Sequence, residues 1–277
     1  MRRSKTRKPD KTKRGGLLRL IVTVAVLAWA IRSLVFAPFS IPTGSMLPTL
    51  YVGDYLIAAK WSYGYSRYSF PFHFPPINGR ILSNLPERGD VVVFVTPGGE
   101  GEDLIKRVIG LPGDTVEVRD GRVVLNGRLV PRGDMQPVAI PVSPNMPCRV
   151  VPGATMMLSG SGGEQTCVYP TYVETLPNGT SYTVIDQVDN PLADRLAPVR
   201  VPAGRLFLMG DNRDDSLDSR FSVAEGGIGM VPLENVVGRA TVLFWSTDGS
   251  ASYWLPWTWF SALRADRIGR TFATDDR

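Results

Sequence analysis

The side chains best suited to catalysis are scarce in this chain: one histidine, His73, and two cysteines, Cys148 and Cys167. A zinc site built on two or more histidines is excluded, and two cysteines without C-x-x-C spacing offer no replacement, so no metal is expected. Neither G-x-x-x-x-G-K-[ST] nor G-x-G-x-x-G occurs, so nucleotide binding has no motif behind it and no cofactor is expected. A Ser-His-Asp triad would have to recruit His73 from the aromatic, proline-rich stretch Phe70 to Pro76, which reads as an exposed or membrane-apposed loop rather than a site wall. If the chain is an enzyme, its base is not histidine.

Three segments carry what remains. Ile41-Pro42-Thr43-Gly44-Ser45-Met46-Leu47-Pro48-Thr49-Leu50 sets a serine after a glycine between two stiffening prolines, a turn able to present a nucleophile; alone, it reads equally as an ordinary Gly-Ser turn. In Asp103 to Asp114, a strand would put Leu104, Lys106 and Val108 on one face. Were that face covered, desolvation would disfavour the Lys106 ammonium and leave an amine able to act as a general base; the alternative is a lysine whose stem covers apolar surface while its head reaches water. The third segment, Met209 to Arg220, alternates Asp with Arg213 and Arg220, a pattern that supports internal salt bridging better than cation binding.

The elements that position these segments begin with an anchor. Leu17 to Ala37 is apolar apart from Arg19, Thr23, Arg32 and Ser33, giving 21 residues where about 20 cross a bilayer, and Pro38 ends it. Residues 1–16 form a basic tail of net charge +7, which accounts for the chain's +5 and leaves the remainder near −2, so no basic folded surface is left to read nucleic acid. By the positive-inside rule the tail stays in the cytoplasm and the rest lies outside. A removable signal peptide is the alternative, since Ala28-Trp29-Ala30 has cleavage-like spacing, but the apolar run continues to Phe39.

Beyond Phe39, short apolar runs between Gly, Pro and Asp read as mainly β. Asp90 to Thr96, Leu104 to Ile109, Leu206 to Met209 and Val236 to Trp245 are expected strands. Thr115 to Arg119, Arg122 to Leu125 and Arg128 to Val130 form a meander through the hairpin turns Asp120-Gly121 and Asn126-Gly127. Met135 to Ala203 is richer in Pro, Gly, Ser and Thr and reads as a looser inserted lobe. Outside the cytoplasm, Cys148 and Cys167 are expected to form a disulfide, with two reduced buried thiols as the alternative.

These segments, with Arg88-Gly89-Asp90-Val91-Val92-Val93-Phe94, resemble the successive boxes of the bacterial type I signal peptidases in order and approximate spacing; the resemblance is weak only from about Met135 to Arg200 and past Phe221. It implies a membrane-bound serine endopeptidase that removes signal peptides from secreted precursors after Ala-x-Ala sites. Ser45 would be the nucleophile, Lys106 its base, and Thr43 with the Ser45 amide the oxyanion hole. Ser216 would orient Lys106 by a hydrogen bond, with Asp211, Asp218 and Arg220 as support. Ile41, Pro42, Met46, Leu50, Leu104 and Ile105 match the lining of the small-residue pockets.

The implied fold is a signal-peptidase-type catalytic β core, residues 38–114 and 202–277, with a second β lobe inserted at 115–201, behind one N-terminal transmembrane helix at 17–37. The implied partners are secreted precursors and the lipid bilayer, for a monomer in the bacterial inner membrane with its catalytic part extracytoplasmic. Tyr253 to Phe260 suits the membrane interface, or buried aromatics closing the barrel. Phe221 to Met230 is longer and richer in glycine than the family's connection. The rival readings are a self-cleaving regulator, a related Ser/Lys peptidase specialised for one substrate, and a non-catalytic membrane-tethered β scaffold.

Overall fold

The computed structural model describes residues 11–98, 101–154, 157–159, 165–252 and 254–272. The first ten residues of the basic tail and Tyr253 thus lie outside the described residues. Helix α1, Lys11–Leu34, contains a stretch, Gly16–Leu34, long and apolar enough to cross a membrane, and its leucines, valines and isoleucines are exposed. The helix stops three residues before the expected Ala37. Pro38 disfavours the helical region for Ala37, Val35 forms a turn, and the aromatic Phe36 opens a strand instead.

The rest is mainly β. A seven-stranded antiparallel sheet is built from β1 (Phe36–Ser40), β2 (Asp54–Ala59), β5 (Val91–Val95), β6 (Asp103–Gly110), β15 (Arg205–Met209), β16 (Val231–Pro232) and β17 (Val236–Ser246), in the order β1-β2-β17-β5-β6-β15-β16. A short ladder joins β3 (Tyr65–Ser66) to β4 (Arg80–Ile81). Residues 115–200 supply two further sheets. One sets β14 (Arg195–Arg200) beside β7 (Thr115–Arg119), β8 (Arg122–Leu125) and β9 (Arg128–Leu129); the other gathers β10 (Gln136–Pro141), β11 (Met157–Ser159) and β13 (Ser181–Ile185) around β12 (Thr166–Thr175).

Local chemistry explains these elements. The turns β7–β8 and β8–β9 place Asp120, Gly121, Asn126 and Gly127 at positive φ, as two-residue hairpins require. Val91–Val95 is buried at every position, a continuous apolar run suited to a strand covered on both faces. One core cluster lies under β2, β5 and β17 and includes Ile41, Met46 and Leu50. A second joins Ile109, Phe207 and Met209 of the large sheet to Val116, Val118, Leu125 and Val184 of the others, so the sheets share a core.

The late aromatic segment does not close the barrel. Trp254 is 91% exposed, and Trp257, Trp259 and Phe260 are exposed around the short helix α2 (Thr258–Ser261). The glycine-rich stretch after Arg220 is a compact turn: Ser222 and Glu225 cap each other, Gly226 takes a left-handed conformation, Ile228 is buried, and the Gly229 carbonyl accepts from Ser219 Oγ.

Candidate active site

After β1 the chain turns through 41–53 before entering β2, and two bonds from one residue hold the tip of that turn. Asn212 donates its backbone N–H to the Ser45 carbonyl at 3.0 Å and its side-chain amide to the Gly44 carbonyl at 3.2 Å. With its carbonyl fixed, the Ser45 peptide has a set orientation, and among the described residues its N–H makes no hydrogen bond. Gly210 allows this approach: a Cβ there would lie 2.5 Å from the Ser45 carbonyl oxygen and 2.4 Å from Ser216 Oγ.

Lys106 sits on β6 opposite Val92 of β5, with Leu104 and Val108 as its neighbours on the same face. The face is covered, for Lys106 is only 4% and Ser45 only 8% exposed. Lys106 Nζ donates to Ser45 Oγ at 2.5 Å. Burial pushes the ammonium's pKa down from 10.5 to about 8, against the opposing pull of Asp218, Asp211 and Asp215, while Arg220 lowers it further. The snorkelling alternative for this lysine does not hold, because its head is turned inward to the serine.

The polar loop that follows β15 is tied by buried ion pairs. Asp211 takes a bidentate contact from Arg107 at 2.8 and 2.6 Å and a hydrogen bond from Thr49 Oγ1 at 2.5 Å. Asp218 accepts from Arg220 Nε at 2.9 Å and from the Gly210 N–H at 2.9 Å. Arg220 also reaches the carbonyls of Arg213, Ala193 and Ser216. The hydrogen bond expected from Ser216 to Lys106 is not made: Ser216 Oγ is buried against the Cα of Gly210 without a partner, and Lys106 turns to Ser45 instead.

A cleft of about 320 Å³ opens at the pair, lined by Pro38 to Thr43 of the first turn, by Asp103 to Lys106 of β6, by Val93, by Ser45 and by Arg32 from the end of α1. Ile41, Pro42, Leu104, Ile105 and Thr43 are in its wall. Met46 and Leu50 are not: both are fully buried and pack beneath Ile41 and Ile105, because the turn folds back onto the core. His73 is exposed, edge-on to Tyr68, and does not line this cleft.

Sequence reasoning missed several residues. Arg213 and Glu174 of β12 form a fully buried pair at 2.5 and 3.0 Å, with Tyr182 donating to the same carboxylate. Arg107 stacks 4.4 Å from the Tyr182 ring centroid. The apolar residues on both sides of it, Leu104-Ile105 and Val108-Ile109, could have flagged Arg107 as part of a strand buried on both faces, but no local signal marks Glu174. Cys148 and Cys167 are joined in a disulfide, their Cα atoms 5.7 Å apart. Among the described residues, Asp186, Asp194 and Asp214 bring carboxylate oxygens within 4.8 Å of one another, and Arg132 pairs with Asp186 at 2.6 Å.

A family model described as "Signal peptidase, peptidase S26" matches residues 14–245. A signal peptidase I from Rickettsia typhi is 35% identical over 232 residues, covering 81% of this chain and 77% of the relative. One from Rickettsia felis is 33% identical over 292 aligned positions, covering 99% and 98% of the two chains. A solved signal peptidase I from Enterococcus faecalis aligns with 56% of this chain and 97% of its own, at 24% identity and a TM-score of 0.28.

Proposed function

The chain belongs to the S26 family of signal peptidases, which makes it a serine endopeptidase of signal-peptide processing, and from that premise we propose that Ser45 and Lys106 carry out the cleavage. The buried Lys106 Nζ to Ser45 Oγ hydrogen bond carries this reading. Neutral Lys106 takes the Ser45 proton as Oγ attacks the scissile carbonyl. The resulting oxyanion is held by the unengaged Ser45 N–H and the Thr43 hydroxyl, which lies in the same cleft wall. The Lys106 ammonium then protonates the departing amine, and a water activated by the same lysine releases the signal peptide from Ser45.

Specificity follows from the cleft's size and walls. Ile41, Pro42, Leu104 and Ile105 bound a space of about 320 Å³, which favours alanine-sized side chains at the −1 and −3 positions and rejects large ones. The α1 helix holds this cleft at the membrane, with Arg32 at its rim. The basic N-terminus stays in the cytoplasm, the β portion works outside as a monomer, and secreted precursors reach it there.

The test is cleavage of a purified Ala-x-Ala precursor by the full-length protein in detergent micelles. Wild type should cut it, folded Ser45→Ala should lose at least about 1,000-fold in rate, and a leucine at −1 should block the precursor. Equal rates for wild type and folded Ser45→Ala would refute the nucleophile. A wild type that binds precursor without cutting it would favour the scaffold.

A further inference from the structure

Arg149 belongs to the stretch where the family resemblance is weakest, yet it lies on the nucleophile turn. An added Cβ on Gly44 would sit 2.3 Å from Arg149 Cδ and 2.6 Å from its Nε, so the arginine stem runs across the glycine next to Ser45. Its guanidinium reaches the next loop: Nε and Nη2 both bond the carboxylate of Asp215, the residue before Ser216, the latter at 3.0 Å. Its backbone is fixed as well. The Arg149 N–H donates to Tyr169 Oη at 2.7 Å, its carbonyl accepts from Gln187 Nε2 at 3.2 Å, and its neighbour Cys148 is disulfide-linked to β12.

We infer that Arg149 is a positioning residue of the active site: it clamps the Gly44–Ser45 turn to the loop carrying Asp215 and Ser216 and neutralises Asp215 beside Lys106. The inference rests on Ser45 and Lys106 being the reacting pair. Lys106 is faced by Asp218, Asp211 and Asp215 and by Arg220. Asp218 is paired with Arg220 and Asp211 with Arg107, both fully inside the protein. Asp215 is partly exposed, and Arg149 is its partner. Uncovering Asp215 would stabilise the lysine's ammonium, so less of the reactive amine would be present at neutral pH. Glycine at position 44 is required for the same contact, since any side chain there would displace the arginine.

The experiment is the pH dependence of kcat/KM, from about pH 6 to pH 10, for full-length protein in micelles cutting an Ala-x-Ala peptide. Arg149→Ala should move the rising limb up by about 0.5–1 pH unit, an approximately 3- to 10-fold loss near neutrality. The double variant Arg149→Ala/Asp215→Asn should bring the limb back, since the freed charge is gone. Asp215→Asn alone, nearly isosteric, should move the limb downward, and it keeps the inference testable if Arg149→Ala fails to fold. An Arg149→Ala limb that stays at its wild-type pH, or an Asp215→Asn limb that does not move, would overturn the inference. Lys106→Met serves as the control: a variant still active with a rising limb would mean that the lysine assignment, rather than the role of Arg149, is wrong.

Discussion

Lys106→Met is expected to abolish cleavage while making the protein more stable. Loss of the base should cut kcat by about 10²–10⁴-fold, the range that a positioned proton acceptor contributes. The same substitution removes a charge held at 4% exposure. The fall of the lysine pKa from 10.5 to about 8 corresponds to roughly 3 kcal/mol of cost for the buried ammonium. Methionine fills nearly the same volume, and its main penalty is Ser45 Oγ left without its hydrogen bond, about 1 kcal/mol. A net gain of about 1–2 kcal/mol would raise Tm by roughly 2–8 °C.

The sign with pH is checkable. The folded-state pKa lies below the unfolded value, so between about pH 8 and pH 10.5 the unfolded chain binds the extra proton and wild-type stability rises with pH. The advantage of Lys106→Met should therefore be full below about pH 8 and fade progressively between about pH 8 and pH 10.5. The rate of wild type should climb over the approach to pH 8, as the reactive amine forms. A Tm difference that stayed constant from about pH 7 to pH 10.5, or a rate flat down to about pH 5, would show that Lys106 is not a desolvated base.

What could be read in the sequence was what local pattern encodes. The period-two alternation of Asp103 to Ile109 put Lys106 between Leu104 and Val108, where the strand has it, and Asp-Gly and Asn-Gly marked both turns of the meander. Strand β1 was hidden because its apolar residues run on from the helix without a break. The ten-residue β12 lies in a stretch whose proline and glycine content pointed to weak strands, and its pairing with β10, β11 and β13 outweighs that composition. Met46 and Leu50 carry no mark that separates a cleft wall from the layer under it. Arg149 and Glu174 meet partners 66 and 39 residues away, contacts that only the closed fold creates.

The pair Arg107–Asp211 should give the largest stability effect. Asp211→Ala leaves a guanidinium buried at the sheet interior with its Nε unpaired and its Nη2 reduced to the 3.4 Å bond to Thr49 Oγ1, and strips Thr49 Oγ1 of its acceptor. Breaking a buried pair from one side costs about 3–5 kcal/mol, or roughly 6–20 °C in Tm, because the remaining charge has no compensation. Arg107→Met/Asp211→Leu removes both charges and should recover most of that loss. The bond from Arg107 to the Gly89 carbonyl would also go, which limits the recovery. Asp211 also supports the Lys106 ammonium, so at temperatures where Asp211→Ala is folded its rate should begin to rise at lower pH than wild type. Thermal unfolding of the single and double variants separates the cases: a double variant no more stable than Asp211→Ala would mean that the aspartate acts through packing or Thr49 rather than by balancing Arg107.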